Sequence, residues 1–136
     1  MAHAIFLAEA QKRSLRVAVY SAGVIDFSAA PPLAQTTATC LQFNTPSPKE
    51  SPTWVGQLPL AAIDQFLVME PGHVTSLVKD YGVTPERVSL LGAFDPQQRG
   101  VEIADPYAES SLVHERSYER IRDCIIGYLE TTHDLR

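Results

Sequence analysis

The residues best suited to chemistry lie in the stretch 101–107, Val-Glu-Ile-Ala-Asp-Pro-Tyr. Asp105 follows an alternating apolar run and precedes Pro106, whose ring fixes φ near about −65° and removes an N–H group. A carboxylate displayed on a stiffened loop is well placed to act as a general acid. The alternative interpretation is that Asp-Pro only opens a turn.

The chain contains two cysteines, Cys40 and Cys124. Neither is followed by an arginine six residues later, and neither lies in a Cys-x-x-Cys motif, so a redox couple is the weaker interpretation. We expect both to be buried structural thiols. Two cysteines are too few for a disulfide scaffold, which fits a reducing compartment.

Two other arrangements of polar residues are weaker candidates. Glu70-x-x-His73 places two metal-ligand types on one helical face, but a carboxylate-bridged site needs further ligands, so a solvated face is expected. Ser21, Ser28 and Ser47 lack the glycine pattern of a nucleophile elbow and a histidine placed to activate them. The sequence predicts no metal site, no cofactor and no serine hydrolase.

Length and charge limit the class of protein. A chain of 136 residues is one domain, here residues 1–136. The formal net charge of −5 gives no electrostatic reason to expect nucleic acid or an anionic membrane as a partner. No apolar run approaches the roughly 20 residues that span a bilayer. We therefore expect a cytoplasmic protein.

Periodicity predicts alternating helices and strands. The predicted helices are Met1–Arg13, Pro31–Phe43, a helix opened by Glu70 and Pro71 and ended by Gly82, and Ser110–Glu130. The predicted strands are Leu15–Tyr20, Gln65–Met69 and Val88–Leu91. This order is typical of an α/β fold with a parallel sheet and helices on both faces. In the proline-rich connection Asn44–Pro59, we expect Trp54 to pack on the core rather than bind a ligand.

Five short pieces, in this order and spacing, resemble the low-molecular-weight protein tyrosine phosphatases over most of the chain. The pieces are Met1-Ala2-His3-Ala4-Ile5-Phe6, Val17–Ser21-Ala22-Gly23, Phe66-Leu67-Val68-Met69-Glu70, Phe94-Asp95-Pro96 and Asp105-Pro106-Tyr107. The resemblance implies a three-layer sandwich with a short central parallel sheet whose first strand is missing.

The resemblance also implies roles for individual residues. Asp105 is similar to the family's general acid, which protonates the leaving phenol, and Tyr107 with Phe27 would form aromatic walls of the cleft. The implied partner is a phosphotyrosine protein or a small aryl phosphate. The family's phosphate loop, a cysteine followed by five residues, an arginine and a serine or threonine, has no counterpart in this chain.

Two hypotheses follow from the absent loop. In the first, the true start lies upstream of Met1, and an apolar strand with the loop precedes it. In the second, the protein is a non-catalytic binding or regulatory module on the same scaffold. In either case the 136 residues are expected to be inactive on aryl phosphates.

The family's first strand lies between the strands that correspond to Leu15–Tyr20 and Gln65–Met69, so we expect a gap between these two segments. Unpaired backbone groups cannot stay buried, since each costs roughly 1–3 kcal/mol. The gap would be covered by another copy of the chain in a homo-oligomer, which is the favoured interpretation, or closed by direct pairing of the two strands.

Overall fold

The structure is a computed structural model, and it describes residues 1–23, 38–40, 42–43, 45, 53–103 and 110–131. Three long helices lie within the described residues: α1 (Ala2–Lys12), α2 (Pro71–Asp80) and α3 (Ser111–Thr131). Their positions confirm three of the predicted helices. Of the predicted helix Pro31–Phe43, residues 38–40 and 42 are helical and most of the remainder lies outside the described residues.

Two strands form a parallel pair. Strand β1 (Phe66–Val68) lies beside β2 (Val88–Leu90), with Phe66 opposite Val88 and Val68 opposite Leu90. The crossover between them is α2, which begins at Pro71 because proline suits the first helical turn. The chain reverses after α2 at Gly82, whose φ of +68° is open to glycine at little cost.

The sheet separates two apolar clusters, which gives the three layers expected. Leu67 and Met69 face the first cluster, which is built mainly from α1 and α3. Phe66 and Val68 face the second, which α2 covers with Leu77. The side chains of successive strand residues point to opposite faces of the sheet, so β1 contributes side chains to both clusters.

Trp54 belongs to the second cluster, as predicted. Its ring is partly buried, and its Nε1 donates a hydrogen bond to the Tyr81 hydroxyl over 2.9 Å. The two rings also meet edge to face at a centroid distance of 6.5 Å. Trp54 therefore fixes the 53–58 connection to the end of α2.

The predicted strand Leu15–Tyr20 is the main departure from the sequence analysis. Its side chains alternate in exposure as a strand requires, with Leu15, Val17 and Val19 the more buried. Residues 16–20, however, make no backbone hydrogen bond to any described residue. The segment is extended but unpaired, because in the described part of the chain no strand lies beside it. Direct pairing with β1 is therefore not observed.

A buried carboxylate ties the loop after β2 to α3. The Asp95 side chain is 0% exposed and accepts hydrogen bonds from Arg99 Nε at 2.9 Å and Arg99 Nη2 at 3.1 Å. Arg99 also reaches Asp123 on α3 at 3.0 Å. Gly127 of α3 lies so close to the Phe94 carbonyl that no larger residue would fit. The loop is thus held at two points along one helix.

None of the described helices has the length and apolar character needed to cross a bilayer.

We predict that Asp95→Asn lowers the free energy of unfolding by about 1.5–3 kcal/mol, because it removes charged hydrogen bonds from a buried site. Hydrogen bonding to Arg99 holds the pKa of Asp95 at about 2, against an ordinary value of 3.8. Its stabilising contribution is complete above the ordinary value and is lost as pH falls towards 2. Urea titrations across this range should show a loss in the wild type that the variant lacks.

The control is Asp123→Asn, since Asp123 is 26% exposed and contacts Arg99 once. An exposed pair contributes at most about 1 kcal/mol, so this variant should be nearly as stable as the wild type. Equal losses in both variants would contradict the role given to Asp95.

Candidate functional site

A cavity of about 1010 Å³ lies between the extended segment 16–20 and β1. We call it the interstrand cavity. One wall is formed by residues 16–23 and the other by residues 62–69. Apolar side chains of both clusters line it, among them Phe6, Leu77 and Ile125. The gap expected from the sequence is therefore present in the structure.

Polar groups of the interstrand cavity gather where α1 begins. His3 Nδ1 lies 2.8 Å from Ser21 Oγ, which links the first turn of α1 to the end of the segment 16–20. The prediction that Ser21 has no histidine placed to activate it was therefore wrong. The two residues are 18 positions apart, so no local pattern in the sequence signals the contact.

Charges at the cavity come from Arg16 and Asp64, with His73 also on the lining. Arg16 is exposed and forms no ion pair with any described residue. It is therefore a cation available to an anionic group at the rim. A guanidinium binds phosphate or carboxylate oxygens through paired N–H groups.

All three site residues predicted from the sequence, Asp105, Tyr107 and Phe27, lie outside the described residues. The described residues that precede them in the chain are held by backbone hydrogen bonds near the interstrand cavity. Ile103 is 3% exposed, and its N–H donates to the Met69 carbonyl over 2.8 Å. Gly23 N–H donates to Thr53 O over the same distance. Met69 and Gly23 both line the interstrand cavity, so the last described residues before Phe27 and Asp105 either line the cavity, as Gly23 does, or are bonded to a residue that lines it, as Ile103 is.

Ser110 immediately precedes α3 and caps its first turn. The Ser110 hydroxyl accepts a hydrogen bond from Val113 N–H at 3.3 Å, which caps the helix. His114, 1% exposed, has its Nδ1 3.0 Å from Ser110 O, and its Nε2 has no hydrogen-bond partner among the described residues.

Both cysteines are buried, as predicted. Cys40 and Cys124 are each 0% exposed and belong to the first apolar cluster. Burial raises the pKa of the Cys40 thiol above its ordinary value. Burial, with a contribution from Asp95, raises the pKa of Cys124 to about 11. Thiolates are the reactive form of cysteine, so neither side chain is prepared to act as a nucleophile.

Comparisons with known proteins identify relatives of this chain. The model of the family "low molecular weight phosphotyrosine protein phosphatase" matches residues 1–134. No curated protein matches the sequence significantly.

Several solved structures share the fold at low sequence identity. A low-molecular-weight protein tyrosine phosphatase from T. tengcongensis is 20% identical, with a TM-score of 0.86 over 96% of this chain and 88% of its own. A YwlE mutant from Bacillus subtilis is 17% identical, with a TM-score of 0.84 over 96% and 86%. A Drosophila arginine phosphatase is 21% identical, with a TM-score of 0.81 over 96% and 87%. These matches show that the chain has the α/β fold of these phosphatases.

We predict that both thiols resist alkylation in the native protein. Iodoacetamide at pH 8 should label Cys40 and Cys124 far more slowly than in the urea-unfolded chain, because each is buried and protonated. Mass spectrometry of tryptic peptides reports each site separately. Native labelling of either cysteine at the unfolded rate would show a reactive thiol and overturn the assignment.

Proposed function

The chain belongs to the low-molecular-weight phosphotyrosine protein phosphatase family, and we propose that its 136 residues form a phosphatase scaffold that carries a general acid but no nucleophile. The proposal rests on the state of the two cysteines. Both are fully buried, and the pKa of each thiol is raised. Neither is followed at the sixth position by an arginine that could hold a phosphoryl group.

Asp105 is the proposed general acid. Its position in the Asp-Pro-Tyr sequence supports this role, and so does the attachment of the preceding Ile103 to Met69 at the edge of the interstrand cavity. Protonation of the leaving oxygen by a positioned carboxylic acid accelerates cleavage of an ester whose alcohol is a poor leaving group.

The proposed substrate class is an aryl phosphomonoester, such as phosphotyrosine in a protein. Tyr107 and Phe27 would flank the ring, since aromatic side chains stack favourably on aromatic groups. Two of the structural neighbours are described as arginine phosphatases, a property of those proteins. A guanidine has no aromatic ring for Tyr107 and Phe27 to contact, which favours the aryl ester for this chain.

We also propose a cytoplasmic location. The two free thiols, neither joined in a disulfide, are consistent with a reducing compartment.

The 136-residue protein should not hydrolyse para-nitrophenyl phosphate above the buffer rate. The matched control is the variant with both Cys40→Ala and Cys124→Ala, which should give the same trace. Turnover that disappears in this double variant would show that a buried thiol is a nucleophile after all. Turnover that survives it but disappears in Asp105→Ala would reveal a nucleophile of another type.

The role of Asp105 can be tested in a fusion that places an apolar strand and a Cys-x5-Arg-Ser loop before Met1. In this fusion, Asp105→Asn should slow hydrolysis of phenyl phosphate by about 10²- to 10⁴-fold, because phenoxide needs the proton. Hydrolysis of para-nitrophenyl phosphate, which has a better leaving group, should fall much less. Equal losses for the two esters would show that Asp105 is a structural turn residue.

The same fusion tests the substrate class. It should cleave phosphotyrosine in preference to phosphoarginine, and a reversed preference would contradict the aryl assignment.

A further inference from the structure

His114 is a buried titratable side chain that the proposed reaction does not use. It is 1% exposed, and its Nδ1 lies 3.0 Å from the Ser110 carbonyl oxygen. A carbonyl oxygen only accepts hydrogen bonds, so Nδ1 carries a proton. Nε2 is buried and has no hydrogen-bond partner among the described residues. A second N–H at Nε2 would lack an acceptor, so the side chain fits this site as a neutral imidazole.

The His114 side chain also ties the residue before α3 to the first turn of the helix. The backbone N–H of His114 donates to the same Ser110 carbonyl over 3.1 Å. The Ser110 hydroxyl in turn accepts a hydrogen bond from Val113 N–H at 3.3 Å. We call Ser110, Val113 and His114 together the Ser110 cap. Ser110 directly follows residues 104–109, so the cap fixes the residue at which that stretch joins α3.

A proton on Nε2 would be unfavourable where the ring lies. It would place a positive charge, and an N–H group without an acceptor, in a buried position. The first turn of a helix carries partial positive charge, so the helix dipole opposes a cation there as well. The ring gains its second proton at low cost only by turning out to solvent. That movement breaks the hydrogen bond from Nδ1 to Ser110.

The charged and titratable groups around this part of α3 are engaged elsewhere or exposed. Helix α1, the turn Leu91–Phe94 with the loop that follows it, and residues 38–45 pack against α3. The groups on these elements and on α3, each with its partner, are Glu9 with Lys12 and Arg13, Asp95 with Arg99, Glu115 with Gln42, and Tyr118 with Thr45. Cys40 is a buried thiol, and Arg116 and Glu119 are exposed. None of them is bonded to Nε2 of His114.

We propose that His114 is a proton-sensitive latch at the start of α3. In the neutral form the ring lies in the core and holds Ser110, and in the protonated form it leaves the core and the Ser110 cap opens. Histidine is the side chain whose charge changes nearest to neutral pH, so the latch responds to mild acidification. This inference goes beyond the phosphatase assignment, because it depends on neither Asp105 nor a nucleophile.

The direction of the pH effect follows from the protons that each state binds. In an opened or unfolded chain a histidine binds a proton near about pH 6.5. The closed cap binds none at Nε2, so protons favour the opened state and the cap weakens as pH falls. For one proton, the equilibrium constant for opening should rise about tenfold between pH 7.5 and pH 5.5.

Hydrogen exchange measured by NMR tests the latch in the 136-residue protein. The amides of Val113 and His114 close the cap, so their protection factors should fall about tenfold over this pH range. Protection factors already correct for the intrinsic pH dependence of exchange. Amides of Ile125 and Leu129, whose side chains lie in the first apolar cluster, should keep their protection.

Two variants provide a matched pair. His114→Phe keeps an aromatic ring in the core but cannot bind a proton, so its cap amides should be equally protected at both pH values. His73→Gln removes a partly exposed histidine of α2 and should keep the fall seen in the wild type.

The protonated ring nitrogen can also be identified in the wild type, which makes the test independent of how a variant folds. NMR correlation of ring nitrogens with ring protons at about pH 7.5 should show His114 protonated on Nδ1 and not on Nε2.

Any of four results would overturn the proposal. A proton on Nε2 at neutral pH would contradict the neutral form assigned to the closed cap. Constant protection of the cap amides in the wild type would show that no proton opens the cap. An equal fall in the wild type and in His114→Phe would assign the effect to another group. An equal fall along the whole of α3 would indicate general acid unfolding in place of a latch.

Discussion

The need of every buried N–H and C=O group for a hydrogen bond governs this structure. Strand β1 meets that need on one edge through β2, while its other edge and the segment 16–20 face the interstrand cavity. The helices are held by the two apolar clusters, which lie on opposite faces of the sheet and beside the gap. In the described part of the chain the sheet has two strands, and an apolar cluster covers each of its faces.

Met69 connects the interstrand cavity to the described residues that precede the proposed acid. Met69 ends the β1 segment, lines the cavity and accepts the hydrogen bond from Ile103, two residues before Asp105. Earlier in the same connection, Arg99 binds both Asp95 and Asp123 and so fixes the chain to α3. The described residues that precede the proposed acid are thus held by ion pairs at Asp95 and Arg99 and by a backbone hydrogen bond at Ile103.

The helices that were predicted correctly from the sequence are those whose ends or apolar faces are set by nearby residues. Pro71 and Gly82 bracket α2 because each has a backbone preference that acts without tertiary contacts. The apolar stripe of α3, with its helical spacing, likewise predicts that helix from the sequence alone. The side chains of residues 15–20 alternate in exposure, as predicted. Whether these residues pair with a strand, however, depends on a neighbour elsewhere in the chain. The contacts of His3 with Ser21 and of Arg99 with Asp123 are likewise non-local, and no spacing rule could reveal them.

The first apolar cluster joins opposite ends of the chain. Ile5 of α1 packs in the same core as Ile125 and Leu129 of α3, more than a hundred residues later. Contacts of such long sequence separation form slowly, because a large loop must close before they contribute. During synthesis α3 emerges more than a hundred residues after α1, so the apolar face of α1 stays uncovered until α3 has left the ribosome. Exposed apolar surface of this kind favours aggregation of an incompletely folded chain.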